Sequence, residues 1–333
     1  MSRNLYIEPA LLGLEHEFSF EGYSIAISLP TSKDIPSEDE LFKTPQDDYR
    51  LFRISYNTWK EVNGHKIPVA YWIHSVDVKI KLVDTLSIPE DMLPRHPNAY
   101  NLITKEQQDH LNALADEYGQ IAEKAFDLWV RIMRWKCDNS SIGRPEIRGV
   151  NSGWGTYLLE ASSENRIWRG ETVIRFHRSK PVTKKEWNEV QVALQEGQTS
   201  PIYYDLMFDA VEHMKIGDLQ RSVVDLAISC ESLLRKIVTQ NLPIGLNDAM
   251  TNYISNAKIN WFLDKFFPQI LQPPNALIFS NMKGKLKDLF QARNDIVHSR
   301  KPVLITLNEC GEFIKVTKEL ILLGSGYLGD NGG

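Results

Sequence analysis

The stretch Ala276-Leu277-Ile278-Phe279-Ser280-Asn281-Met282-Lys283-Gly284-Lys285-Leu286-Lys287-Asp288-Leu289-Phe290-Gln291-Ala292-Arg293-Asn294-Asp295-Ile296-Val297-His298 carries an apolar face at helical spacing. Met282, Leu286, Leu289, Phe290, Arg293 and Val297 fall on that face, and Pro273, Pro274 and Pro302 bracket the run. Spacings of three and four over some six turns make a helix with one side turned to a core. A proline just beyond His298 stops it.

Working outward, every segment after residue 200 has the same period. Tyr203, Leu206, Met207, Ala210, Val211 and Met214 form one stripe that ends at Gly217. Asp218 is placed to cap the next helix, Leu219 to Thr239, whose apolar residues occupy two adjacent stripes, so it should lie at the centre of a bundle. A weaker stretch runs from Leu246 to Phe267, and Thr306 with Glu309 boxes the start of the last helix, with Phe313, Val316, Leu320 and Leu323 inward. The expectation is an all-α bundle over residues 203–326 and a flexible Gly-rich tail over 327–333. Gly197-Gln198-Thr199-Ser200-Pro201 has linker composition, so 198–202 separates this bundle from a first domain, 1–197.

That first domain reads as β-rich with one long helix, which makes the whole chain α+β. Ala70, Trp72, His74, Val76, Val78, Ile80 and Leu82 alternate with Tyr71, Ile73, Ser75, Asp77, Lys79 and Lys81, the clearest strand pattern in the chain. Shorter strands are expected at Glu15–Phe20, Tyr23–Ser28, Arg50–Tyr56, Tyr157–Ala161 and Glu171–Arg178, and a surface loop at Ser32–Asp48. From Lys105 to Lys136, Leu111, Leu114, Tyr118, Ile121, Ala125, Leu128, Ile132 and Trp135 recur as a heptad seam. Such a helix can be covered by a second copy or by the sheet. Thr183 and Glu186 box a short helix that turns Trp187, Val190 and Leu194 to one side.

Composition narrows the function classes. At 333 residues, with 42% hydrophobic and 24% charged residues, the chain can build two cores without disulfides or metal. No apolar run approaches the ~20 residues of a membrane span, and Met1-Ser2-Arg3-Asn4-Leu5 lacks a signal-peptide core, so a cytoplasmic protein is expected. Cys137, Cys230 and Cys310 are odd in number, widely spaced and set in helical patterns, which suits buried free thiols. Net charge is -5, and the excess acid lies in residues 1–200, so contact with a polyanion must be local.

The informative polar residues cluster at the end of the opening stretch. Arg293 sits where the pattern expects an apolar side chain, so a carboxylate or an anionic ligand should meet it. Asn294 and His298 lie one turn apart on the neighbouring stripe with Lys287 and Gln291, and the helix C-terminus favours an imidazolium at His298. Glu231, on an apolar stripe of the second bundle helix, can pair with Arg293 across the bundle or with Arg235 four residues on. Asp225 and Arg221 read as ordinary helix-surface residues. Between 166 and 185 seven Lys and Arg face only Glu171, and Arg175, His177 and Arg178 are candidate RNA contacts or a charged, solvated strand edge. No histidine or cysteine spacing suggests a metal site, and no cofactor motif is present in the sequence.

Arg293-Asn294-Asp295-Ile296-Val297-His298 resembles the Arg, Asn, three residues, His motif of the HEPN superfamily (higher eukaryotes and prokaryotes nucleotide-binding domains). Gly217-Asp218 leading into Ser229-Cys230-Glu231-Ser232-Leu233-Leu234-Arg235 is similar to that family's second helix. The resemblance covers about Pro201 to Leu323, and within the family it is closest to the branch linked to abortive phage exclusion. Ser299 departs from the glycine that often follows the histidine. The resemblance implies a metal-independent endoribonuclease: a homodimer with a composite site, His298 as acid/base, Arg293 as phosphate clamp and Asn294 as orienting group. It also implies a bacterial defence or toxin setting, with the first domain a sensor for a regulatory partner or phage-derived trigger. Inactive members imply the other expectation, a non-catalytic module for dimerisation, nucleotide binding or partner binding.

Overall fold

A computed structural model describes residues 5–36, 53–62, 65–81, 104–143, 156–159, 166–170, 180–242, 252–254, 256–298 and 303–328. The chain forms two compact units, Met1–Glu196 and Gly197–Gly333, in an α+β layout with the strands confined to the first.

The first unit carries two three-stranded antiparallel sheets. One is ordered β1 (Leu5–Ile7), β5 (His65–Ile73), β4 (Ile54–Val62), and the other β2 (Glu15–Phe20), β3 (Tyr23–Ser28), β6 (Asp77–Lys81). The single strand expected over Ala70–Leu82 is therefore two, in different sheets, separated at His74–Val76. Alternation runs unbroken through the crossover because each sheet has the same period, so the pattern could not show where the chain changes partner. Faces differ too. Tyr71 and Ile73 are buried alongside Ala70, whereas after the crossover Asp77, Lys79 and Lys81 are exposed.

Helix α1 (Lys105–Cys137) matches the expected long helix, but its C-terminal half buries a broad face rather than a seam. Ala125 and Ile132 of the seam are buried together with Trp129, Val130, Met133 and Cys137. That face packs on β3, β6 and α2 (Lys184–Gln195), the covering by the sheet. Thr183 and Glu186 bond reciprocally to each other's backbone N–H, as their spacing predicted, and each such cap contributes about 1 kcal/mol. A parallel bridge between Ile7 and Val182 returns residues 180–195 to the first strand. The remaining strands, β7 (Thr156–Leu159) and β8 (Arg166–Gly170), pair as a hairpin, and β8 was not anticipated. The expected strand at 171–178 lies outside the described residues.

At the centre of this unit is a buried histidine that spacing alone left unremarked. His16 of β2 is stacked on Trp187, ring centroids 3.7 Å apart, and its Nδ1 accepts a 2.9 Å hydrogen bond from Trp129 Nε1. An indole N–H can only donate, so the proton sits on Nε2, which donates to the Trp187 carbonyl at 2.9 Å. Burial drives its pKa from the ordinary 6.5 down to about 4, against a smaller raising effect of that carbonyl bond.

The second unit is a helical bundle: α3 (Ile202–Lys215), α4 (Leu219–Gln240), α5 (Asn275–His298) and α6 (Leu307–Ser325). Helix α4 packs on the other three, which is why its apolar residues spread over two stripes. Between α4 and α5 lies a short helical passage over Ile259–Ile270 with one π turn, Phe262–Phe266. It is pinned to α5 by Asp264, which meets Lys283 at 2.7 Å and Lys287 at 2.8 Å. Those bonds hold the Asp264 carboxyl below its usual range. The expected tail begins later than 327, because the Tyr327 hydroxyl accepts hydrogen bonds from Gln272 N and Asn275 Nδ2. Cys230 and Cys310 are free and buried in this bundle, as Cys137 is in the first unit.

Candidate active site at one end of the bundle

Helices α4 and α6 run parallel: Cys310 Sγ bonds Ser222 Oγ at 3.1 Å, and Cys230 Sγ meets Thr317 Oγ1 at 3.4 Å further along. Gln220 Nε2 donates to the Val303 carbonyl at 2.8 Å, tying the first turn of α4 to the segment just after α5. The C-terminus of α5, the C-terminus of α3 and the N-termini of α4 and α6 therefore share one end of the bundle.

Arg293, Asn294 and His298 stand at that end. Along the core face of α5, Leu286 and Leu289 are 0% exposed and Phe290 5%, but Val297 is 50% exposed. The bundle thus covers the face only as far as Phe290. Arg293 is half-buried rather than sealed in the core, and its hydrogen bond goes to the neighbouring Asn294 Oδ1 at 3.1 Å. The bridge from Glu231 to Arg293 is not found among the described residues. Glu231 instead binds Arg235 of its own helix at 2.7 Å, because i and i+4 lie side by side on one turn. The correction matters chemically, since a guanidinium free of any carboxylate can meet an anionic ligand.

A buried strut and an open clamp differ in stability. Removing one partner of a buried ion pair costs roughly 3–5 kcal/mol, whereas an open surface arginine changes stability by about 0.5 kcal/mol or less. Arg293→Ala is expected to behave as the second, with a melting curve close to wild type. A loss of several kcal/mol in thermal denaturation would return Arg293 to a structural role.

Asn294 and His298 are exposed; of the rest of their stripe, Lys287 is committed to Asp264 and Gln291 to Asp295. On the opposite flank of the motif, α5 and α6 enclose a cleft of about 390 Å³. Asp288, Asp295, Glu309 and Glu312 line it with Lys285 as the one described cation, so a polyanion is repelled there. An anionic ligand is left the side of Asn294 and His298. Arg175, His177 and Arg178 lie outside the described residues. No group of three or more metal-ligating side chains occurs among the described residues.

The same end holds a second polar cluster that sequence reasoning passed over as surface. Asp225 of α4 is 1% exposed, and its Oδ2 accepts from His213 Nδ1 at 2.9 Å. Arg221 Nε lies 3.1 Å from Oδ1 and donates its hydrogen bond to Oδ2 at 3.3 Å. Ser222 and Ser229 share that face of α4 and donate to the carbonyls of Ala210 and Tyr203 across the α3–α4 contact. The signal was available: two serines bracketing an aspartate at spacings of three and four mark a face where two helices approach closely.

Comparison of the chain with family models, curated proteins and solved structures returns no match. No helix among the described residues is long and apolar enough to cross a membrane.

Proposed function

We propose that the second unit is a HEPN-type endoribonuclease module that cleaves RNA by attack of the ribose 2′-OH on the adjacent phosphate, without a metal. The observation that carries this reading is the open presentation of Arg293, Asn294 and His298 at the uncovered end of α5, with Arg293 bound to no carboxylate among the described residues. RNA supplies its own nucleophile. The protein must supply only a proton acceptor near neutral pH, which is the imidazole of His298, and a cation for the phosphate charge, which is Arg293. Asn294, bonded to Arg293, orients the guanidinium.

A second copy facing the first completes the proposed site. The half-exposed Val297 beside Arg293 is apolar surface that such a partner would cover, and two motifs across a two-fold axis put a guanidinium and an imidazole on each side of the phosphate. Light scattering on the full-length protein at micromolar concentration is expected to give twice the 38.2 kDa chain mass. A monomer that still cuts RNA would remove the composite site from this reading. The first unit acts in this proposal as a sensor for a regulatory partner or phage-derived trigger in a bacterial defence or toxin system.

The decisive experiment is incubation of purified protein with total RNA, with and without EDTA, followed by analysis of the cleaved ends. Cleavage indifferent to EDTA that leaves 2′,3′-cyclic phosphates is the expected result. A stable dimer that leaves RNA intact identifies a non-catalytic module instead. Arg293→Ala should weaken RNA binding and lower the slope of log affinity against log salt by about one phosphate contact.

A further inference from the structure

Breaking the bond from phosphorus to the 5′ oxygen requires a proton donor as well as an acceptor. In a symmetric dimer the two His298 imidazoles have identical surroundings, so nothing in their environment makes one an acid and the other a base. Enzymes that use an acid and a base together place the two groups in different environments. His213 is a histidine at the same bundle end with a different environment from His298.

We infer that His213 is the general acid of the reaction, oriented by the buried carboxylate of Asp225. This rests on the ribonuclease reading above and assigns the leaving-group proton to His213 rather than to the partner's copy of His298. Three observations support it. A carboxylate only accepts, so His213 donates through Nδ1 and its Nε2 is left with no partner among the described residues. The side chain is 30% exposed, so Nε2 can reach a substrate, whereas Asp225 at 2% cannot. The ring also lies in the last turn of α3, where the helix C-terminus and the carboxylate both compensate an imidazolium.

A purely structural account of Asp225 is weaker. Ion burial is costly, and Arg221 alone, with its side chain 60% exposed, could satisfy a carboxylate at the helix surface without drawing it into the α3–α4 contact. The full arrangement is a carboxylate that holds one nitrogen of an imidazole and leaves the other facing outward, the geometry that orients a proton-transfer histidine.

The step balances as follows. The 2′-OH proton passes to His298, the 2′ oxygen bonds to phosphorus, the bond to the 5′ oxygen breaks, and that oxygen takes the proton from His213 Nε2. The products are a 2′,3′-cyclic phosphate and a 5′-hydroxyl end. Asp225 touches no reacting atom and is a positioning residue.

The test compares two substrates on full-length protein: total RNA, and the four nucleoside 3′-(4-nitrophenyl) phosphates, whose leaving group departs without a proton. His213→Gln should cut RNA at least about 100-fold more slowly, the low end for loss of a general acid, while release of nitrophenolate falls by no more than about fivefold. His298→Ala should lose both substrates. Asp225→Asn, which keeps shape and removes charge, should show the same split as His213→Gln in milder form, and it carries the test if His213→Gln fails to fold. Wild-type RNA cleavage by His213→Gln, or an equal loss on both substrates with an unchanged melting temperature, overturns the assignment. Absence of cleavage by the wild-type protein overturns the ribonuclease reading itself.

Discussion

His298→Ala is expected to lower RNA cleavage by at least about 100-fold while leaving the fold intact, because a general acid or base contributes about 10²–10⁴ to rate and this one sits outside the packed core. The side chain is exposed in the last turn of α5, beyond the point where Phe290 closes the apolar face, so its removal opens no cavity. Stability should change by no more than about 0.5 kcal/mol. Cleavage rates and melting curves on the same preparation decide the matter. Full activity in His298→Ala would remove the residue from the mechanism, and loss of activity with a collapsed melting curve would mean that the helix end is held together by it.

The largest stability effect should appear in the first unit, on acidification. In the folded chain His16 stays neutral down to about pH 4, whereas in the unfolded chain it takes up its proton near 6.5. Between those values the unfolded state binds more protons, so stability is fully present above about pH 6.5 and is lost as pH falls toward 4. The loss attributable to this one group is about 3 kcal/mol over that window. His16→Phe keeps the ring stacked on Trp187 but forfeits both hydrogen bonds, so near pH 7.5 it should be less stable than wild type by roughly 2 kcal/mol. That gap should shrink and then reverse as pH approaches 4, since phenylalanine does not titrate. Denaturant unfolding followed by tryptophan fluorescence reads it, Trp129 and Trp187 being the contacts of His16. A gap that stays constant from pH 7.5 to 4 would show that His16 is not protonated on unfolding in this range.

Much of the architecture was determined by short-range pattern. The long helix, the capping boxes at Thr183 and Thr306, the two-residue turn between β2 and β3 and the central place of α4 all follow from periods, caps and turn residues within a few positions of one another. The residues Arg293, Asn294 and His298 were legible for the same reason, being neighbours on one helix. Only the tertiary structure decided what depends on distant segments meeting. It split the apparent strand Ala70–Leu82 between two sheets, since a period of two carries no information about the partner strand. It gave Glu231 to Arg235 and left Arg293 open, because the cover over α5 ends at Phe290 and helical periodicity does not register where the opposing helices stop. It also buried His16 between two tryptophans 113 and 171 positions away and joined His213 to Asp225 across a helix contact. In each case the deciding quantity was burial, which arises from the packing of whole elements and has no signature in the spacing of one.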